Sequence, residues 1–570
     1  TIAAQLAITY PDGNAGWGAY AVPILEWNTS DARATLYTLL GAVGVLMLIV
    51  CANVGNLMMV RATGRQGEIS VRAALGASGW DIARLLLAES LLLGLLGGAL
   101  GLLVASWGLD ALMVLGSDII PRATEVALDG RVMLFTVGLS LLSGLAFGLA
   151  PIWQSRRLNL NDAMKAGTRG GTGTARAQFF RHVLVGAEIA LALVLLNSAG
   201  LLGRSFVQLS HVDPGFDPKG AWWMNLTIPT TRYDTEDKQA AFALDVLERV
   251  RVLPGITTAG LTAIMPFSGS DYVLGVEFPG RVTAPGEDVS AYYFPVGANY
   301  FPTMRTPILR GRNFTDADRT GAPRVAIVSE TFAQTMFPGE DALGQRVHIT
   351  NSEEKVWREI VGIVPDVKQF GLDQQNDPQI YEPFAQQPHN FMSFIVRTDS
   401  PTATVGLART LRAAVYNVDP QQPVFSVSSV EDLVADSLAG REFSLILLLT
   451  FAAVALLLSA IGTYGVMAYT VAQRTREYGL RMALGALPNQ VLKLVFNRGM
   501  RLVWWGLVAG ALGSLASAQL IKSQLHQTAS YDPFVLVSVA AVLLLAAAAA
   551  CLISARRATR VDPMIALRSE

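Results

Sequence analysis

Seven long apolar runs, at residues 36–60, 85–115, 132–153, 183–203, 443–471, 490–521 and 534–555, limit what this chain can become. About 20 consecutive apolar residues cross the hydrocarbon core of a bilayer as one helix. The pattern therefore predicts a multi-pass, α-helical membrane protein. Composition agrees: 16% of the residues are charged, against roughly 25% in soluble domains, and mean hydropathy is +0.38. A net charge of −1 offers no bulk field for nucleic acid. Cys51 and Cys551 each lie inside an apolar run, so they read as small buried hydrophobes rather than a disulfide pair.

The runs are arranged in two copies. Arg65-Gln66-Gly67-Glu68-Ile69-Ser70-Val71-Arg72-Ala73-Ala74-Leu75-Gly76-Ala77 recurs without a gap as Arg474-Thr475-Arg476-Glu477-Tyr478-Gly479-Leu480-Arg481-Met482-Ala483-Leu484-Gly485-Ala486. The offset of 409 (474 − 65) also carries Gly97 and Gly101 onto Gly506 and Gly510 in the following run. After the last run of each copy, Arg157-Leu158-Asn159 with Ala163-Met164-Lys165 resembles Arg560-Val561-Asp562 with Ala566-Leu567-Arg568. The copies are not identical: Gly67 faces Arg476, Ser70 faces Gly479, and Glu89 faces Arg498.

Loop charge sets the orientation. The loops 61–84, 154–182 and 472–489 and the tail 556–570 are rich in arginine, whereas 116–131 and 522–533 hold few basic residues. The positive-inside rule places the first set, and the C-terminus, in the cytoplasm. Residue 1 then lies outside, and residues 1–30 read as polar and irregular, with a turn at Pro11-Asp12-Gly13. Both points lead to the expectation that upstream sequence, including a first span, is missing. The Gly/Thr-rich run from Gly167 to Thr174 reads as a flexible linker between the copies.

Residues 207–442 contain no run long enough to span and read as a folded extracytoplasmic α+β domain. Strand-like Trp222–Ile228, a helix near 235–252 with Thr235 as its cap, and a strand after Pro254-Gly255 form one strand–helix–strand unit. Phe394–Arg397, helical 402–417 and Pro423–Val427 form a second, and the two can pair into one split sandwich. Between them, 290–385 is rich in strands and reads as an inserted lobe.

In the repeated motif, Arg65, Glu68 and Arg72 share one face of a short helix, while Ile69, Val71 and Leu75 give it an apolar side. Such a helix can lie at the membrane surface and show charge to a partner. Positive-inside anchoring alone requires neither the glutamate nor the Ala-Leu-Gly-Ala tail, yet both recur. A docking role is therefore preferred for Arg65, Glu68, Arg72, Gly76, Arg474, Glu477, Arg481 and Gly485. Glu89 and Glu188 fall near the starts of spans, where they read as interfacial carboxylates rather than proton relays. No G-x-x-x-x-G-K-[ST] phosphate loop is present, so the chain is not expected to hydrolyse ATP. His182, His211, His348, His389 and His526 show no metal-ligand spacing. Asp316, Asp318, Glu330, Glu340 and Asp366 read as solvated turns. No catalytic, cofactor or metal site is expected.

The repeated motif resembles the loop between the second and third helices of the four-helix unit in MacB/FtsX-type permeases of ABC transporters. Gly297–Met304, Gly311-Arg312-Asn313-Phe314, Val325–Ala333 and Leu343–Val347 are similar to that family's periplasmic core. The resemblance covers nearly the whole chain and is closest to the duplicated, acidobacterial-type permeases. It implies this order: residues 1–34, tail of a first outer domain; 35–155, an FtsX-like unit of three spans; 156–182, cytoplasmic linker; 183–206, first span of the second unit; 207–442, MacB-like periplasmic core; 443–570, second FtsX-like unit. It implies a bacterial inner-membrane protein, a separate cytoplasmic ABC ATPase as partner, contact with membrane lipid, and one chain acting as a pseudo-dimer. A periplasmic adaptor or a cell-wall enzyme is a further partner within the family's range. ATP-driven motion would pass through the spans to the outer domain by mechanotransmission and expel a substrate. The alternative is an FtsX-like regulator that moves a cell-wall enzyme and transports nothing.

Overall fold

A computed structural model describes residues 2–10, 21–65, 68, 71–72, 75–116, 127–155, 172–281, 289–350, 355–398, 404–525, 528–529 and 531–558. The turn at Pro11–Gly13, positions Gly67, Ile69 and Ser70, His526, the linker through residue 171 and the tail from residue 559 lie outside the described residues. By contact density the chain forms two units, residues 24–208 with 440–570, and residues 1–23 with 209–439.

The helical unit holds α2 (Ile24–Gly64), α3 (Gly79–Gly116), α4 (Gly130–Ser155) and most of α5 (Thr172–Ser210), after a short α1 (Ile2–Thr9) assigned to the other unit. From the C-terminal part it holds most of α10 (Val430–Gln473), α11 (Thr475–Ala483), α12 (Pro488–Leu520) and α13 (Pro533–Ala558). All seven predicted runs coincide with helices. Six of these are long and apolar enough to cross a membrane; in α4 the apolar stretch Gly130–Leu145 is shorter among the described residues.

Two expectations need correction. Residues 24–30 belong to the first turns of α2 rather than to irregular chain, and Arg33 reaches back two turns to Glu26 at 3.0 Å. The helix α5 begins at Thr172, so the second part of the predicted linker is helical; Ala175, Arg176, Ala177 and Gln178 are good helix formers.

Small residues set the helix contacts, as expected where lipid offers no hydrophobic drive for association. A Cβ added at Gly94 would come 2.7 Å from the Ser140 carbonyl, and one at Gly144 would come 3.0 Å from the Ser90 carbonyl, so α3 and α4 touch backbone to backbone. In the second copy, Gly506 and Gly510 lie against Ile189 and Ala190 of α5. Their equivalents Gly97 and Gly101 have nothing within 4 Å among the described residues. Cys551 is buried against Gly499, while Cys51 is half-buried rather than fully so.

The other unit is an α+β domain on one mixed sheet. Its strands are β1 (Ala221–Thr227), β2 (Ile256–Thr262), β3 (Val273–Glu277), β4 (Ser290–Val296), β5 (Arg310–Gly311), β6 (Val325–Ser329), β7 (Arg346–Ile349), β8 (Trp357–Val364), β9 (Gln379–Pro383), β10 (Phe391–Thr398) and β11 (Ser426–Ser429). The helices α6 (Glu236–Arg251), α7 (Tyr300–Met304), α8 (Glu330–Met336) and α9 (Thr404–Tyr416) complete it. The order is β11-β1-β10-β2-β4-β3-β7-β8-β6-β9, with β5 on β8 and β4 also paired to β9. Pairing of β1 with β10, from Ala221 opposite Arg397 to Thr227 opposite Phe391, joins the two predicted strand–helix–strand units in one sheet. Thr235 caps α6 by accepting from the Lys238 amide, as the sequence predicts.

Two buried clusters fill this domain. Met224, Leu226, Val246, Phe294, Phe394 and Leu411 belong to the first; Tyr293, Val328, Phe332 and Ile360 belong to the second. Each such side chain contributes about 1.5–3 kcal/mol by leaving water. One ion pair is fully buried within the sheet: Arg358 Nε lies 2.9 Å from Glu382, which also accepts from the Tyr293 hydroxyl at 2.8 Å.

Candidate functional site

Among the described residues, the two copies of the motif share their ion pairs and their helix ending. In the second copy α10 ends at Gln473, and α11 carries the motif before α12 starts with Pro488 in its first turn. The Ala486 amide donates to the Arg481 carbonyl at 2.9 Å, and Gly485 donates to Met482 at 3.1 Å. This is the Schellman ending, in which the residue after the cap must be left-handed. Gly485 has φ +96°. The first copy ends alike: Ala77 donates to Arg72 at 3.0 Å, and Gly76 also has φ +96°. Gly76 and Gly485 thus set where the helix stops; they have no side chain to offer a partner.

The charged residues repeat as well. Arg72 lies 2.7 Å from Glu68, and Arg65 lies 4.0 Å from it. In the second copy Arg481 is 2.8 Å and Arg474 is 3.5 Å from Glu477. Each glutamate thus sits between two arginines, and all six groups are 31–49% exposed. Pairs this exposed contribute only about 0.3–0.5 kcal/mol each. They do little for stability and leave an ordered +,−,+ ladder facing solvent.

Opposite the ladder, Tyr478 is buried with Met467, Val471, Val491, Val495 and Cys551. Burial pushes its phenol above the usual range. So α11 is anchored by an aromatic side chain to the ends of its neighbouring helices, rather than resting on lipid.

One divergence between the copies changes the ladder's own partners. Arg65 reaches Glu89 of α3 at 2.8 and 3.2 Å. That hydrogen bond, and then the charge of Glu89, raise the Arg65 guanidinium above its ordinary value. The equivalent of Glu89 is Arg498, so Arg474 has no such carboxylate. Glu89 is therefore an ion-paired group.

Glu188 overturns its expected role. It is 2% exposed within α5 and accepts a short hydrogen bond from Asn53 Nδ2, which also donates to the Leu458 carbonyl at 2.8 Å. An interfacial group would face water; this one is buried between α2 and α10. Gly462 makes the room, because a Cβ there would overlap Glu188 Oε2 and Asn53 Oδ1. The duplication explains the meeting, for 53 + 409 = 462. Asn53 and Gly462 are equivalent positions in the two copies, and they meet where α2 packs on α10. Asn56 and Thr463, also buried, hold side-chain oxygens without a hydrogen-bond partner among the described residues. The only earlier sign of this cluster is that Asn53 and Asn56 interrupt an otherwise apolar run.

The remaining candidates are structural. Asp318 holds Arg312 through two bonds of 2.8 and 3.0 Å. Burial pushes its carboxyl up, but Arg312 and Thr315 outweigh that and hold it below the usual range. Asp366 accepts from Thr331 and Asn376, Glu330 from Gln334, and Glu340 pairs with Arg281. Among the described residues no three His, Cys, Asp or Glu side chains are placed to share a metal.

Comparison with known proteins matches the same architecture. The MacB-like periplasmic core domain family matches residues 204–414. The FtsX-like permease C-terminal family matches twice, at 40–160 and 449–563, and the starts are again 409 apart (449 − 40). A pyoverdine export ATP-binding/permease protein, PvdT, of Pseudomonas syringae is 29% identical over 54% of this chain and 46% of its own length. A macrolide export ATP-binding/permease protein, MacB, of Azoarcus is 27% identical over 73% of this chain and 61% of its own. The chain therefore spans about half the length of the curated relatives it matches. The periplasmic region of MacB from Actinobacillus actinomycetemcomitans aligns with 40% of this chain and 95% of its own length, at 12% identity and TM-score 0.28.

Proposed function

This chain belongs to the MacB/FtsX-type permeases of ABC transporters, and we propose that it is a transmembrane subunit driven by a cytoplasmic ABC ATPase on a separate chain. The observation that carries the proposal is the motif in duplicate: the same Arg–Glu–Arg ladder and the same glycine-stopped ending, offset by 409 residues. A site built twice in one chain suits a partner that comes as a pair. Arg65, Glu68, Arg72, Arg474, Glu477 and Arg481 are the contact groups, with Gly76 and Gly485 fixing their presentation.

In this reading the arginine-rich loops face the cytoplasm, as the positive-inside rule favours, so both ladders lie on the cytoplasmic side of a bacterial inner membrane and residues 207–442 in the periplasm. Closure of the ATPases would push on the ladders, and α2, α5, α10 and α12 would carry the motion outward as rigid rods. The cargo class is a small molecule expelled at the outer face, in line with relatives named for pyoverdine and macrolide export.

Capture of the native complex tests this reading. The unaltered chain should bring down an ATPase, and Glu68→Lys with Glu477→Lys should lose it, because each ladder then becomes three cations. Equal ATPase recovery from the double variant would sink the docking assignment.

A further inference from the structure

The outward face of α12 carries a second feature, which the ladder does not use. Gln490, Lys493, Leu494, Asn497, Arg498 and Arg501 line a shallow hollow, open to the surroundings, on one face of α12. All six are exposed, and among the described residues Lys493, Arg498 and Arg501 pair with no carboxylate. Trp504 and Trp505 follow on the same side, 60% and 73% exposed, and Val508, Leu512 and Leu515 continue the exposed stripe in apolar form. Along one helix face the order is thus basic, then aromatic, then aliphatic.

That order is the profile of a bilayer boundary, where indole rings settle at headgroup level and long cationic side chains reach past them. From Arg501 to the end of α12 at Leu520 is about 28 Å at 1.5 Å per residue, close to the ~30 Å hydrocarbon core. A core-spanning segment that ends at Leu520 would begin near Arg501, which would set the basic residues at headgroup depth. The equivalent residues of α3 are Asp81, Arg84, Leu85, Ala88, Glu89 and Leu92, with Leu95 and Leu96 in place of the tryptophans. Their formal charge sums to −1, against +3 for the α12 set. The site is a property of one copy, so a general need for positive loops does not account for it.

We propose that this hollow on α12 binds the phosphate headgroup of an anionic phospholipid, with Lys493, Arg498 and Arg501 as its cationic ligands and Trp504 and Trp505 against the upper acyl chains. Charge complementarity selects the occupant, since an uncharged or zwitterionic headgroup leaves three unpaired cations unmatched. Such attraction is screened by salt.

The test reconstitutes the full chain in phosphatidylcholine vesicles and compares spin-labelled phosphatidylglycerol with spin-labelled phosphatidylcholine for the motionally restricted, protein-bound signal. The unaltered chain should prefer phosphatidylglycerol by on the order of tenfold at low salt, with the preference shrinking at high salt. K493Q/R498Q/R501Q should remove most of the preference, K493R/R498K/R501K should keep it, and R84Q on α3 should leave it unchanged. If the glutamine variant fails to insert, salt dependence and the charge-retaining variant still decide. Full preference in the glutamine variant would overturn the proposal, as would displacement of the lipid by inorganic phosphate. Unchanged lipid preference with loss of the captured ATPase would assign the hollow to the protein partner and overturn it too.

Discussion

His389 stands among Tyr272, Tyr293 and Phe391, with ring centroids 5.0–6.3 Å away and its Nε2 buried without a hydrogen-bond partner. Burial lowers its imidazole to about 4. The unfolded chain takes up that proton near pH 6.5, so the folded domain loses stability as pH falls from about 6.5 towards 4, by up to about 1.4 kcal/mol per unit before discounting for partial exposure. Hydrogen exchange of the β10 amides should quicken across that window, and His389→Phe should flatten the dependence; an unchanged slope would show that other groups carry it. Gly485 poses a different residue-scale question. Alanine at φ +96° costs about 1–2 kcal/mol, so Gly485→Ala should fray the end of α11 and lower the melting temperature, whereas Ala486→Gly should not. Neither property of these residues was fully legible beforehand. The motif showed that a glycine recurs, but its left-handed backbone appears only with the bonds Ala77–Arg72 and Ala486–Arg481. The histidine gave no signal at all, because its three ring neighbours come from β3, β4 and β10 or their flanks.

Elements were easier to read where one physical term dominates. Hydropathy alone located the spans, and the strand–helix–strand units at 221–262 and 391–429 followed from periodicity and the Thr235 cap. Hydropathy could not say that α2 starts at Ile24, or that α5 starts at Thr172, since polar turns of a helix look like loop. Nor could it grade the glycines. Gly510 is packed on Ala190, while Gly101 meets nothing, although the two are equivalent in sequence. In the 570-residue chain, Gly510→Leu should therefore cost roughly 1–3 kcal/mol through overpacking, and Gly101→Leu should leave thermal unfolding within about 0.5 kcal/mol. Equal losses at the two sites would contradict the packing described. The same element-level difference separates the ladder's surroundings: Glu89 on α3 steadies Arg65, whereas among the described residues Arg474 pairs with Glu477 alone.

At the scale of the whole molecule, the central fact is that α2 and α10 cross at equivalent positions, with Glu188 of α5 held in the crossing. Sequence placed Glu188 in a span, but its depth depends on Asn53 and Gly462, far away along the chain in both directions. Removing Asn53 should leave Glu188 buried without that donor, at about 1–3 kcal/mol. A double-mutant cycle of Asn53→Ala and Glu188→Ala should show coupling of at least roughly 0.5 kcal/mol, read by urea unfolding in detergent. Additive losses would mean that the two side chains stabilise the helices separately. The crossing also has a consequence for symmetry. In a two-fold dimer of identical chains, a residue on the axis meets its own copy, so that asparagine would face asparagine and glycine would face glycine. An asparagine set against a glycine is thus a pairing that two separately encoded positions can hold and two identical residues on an axis cannot.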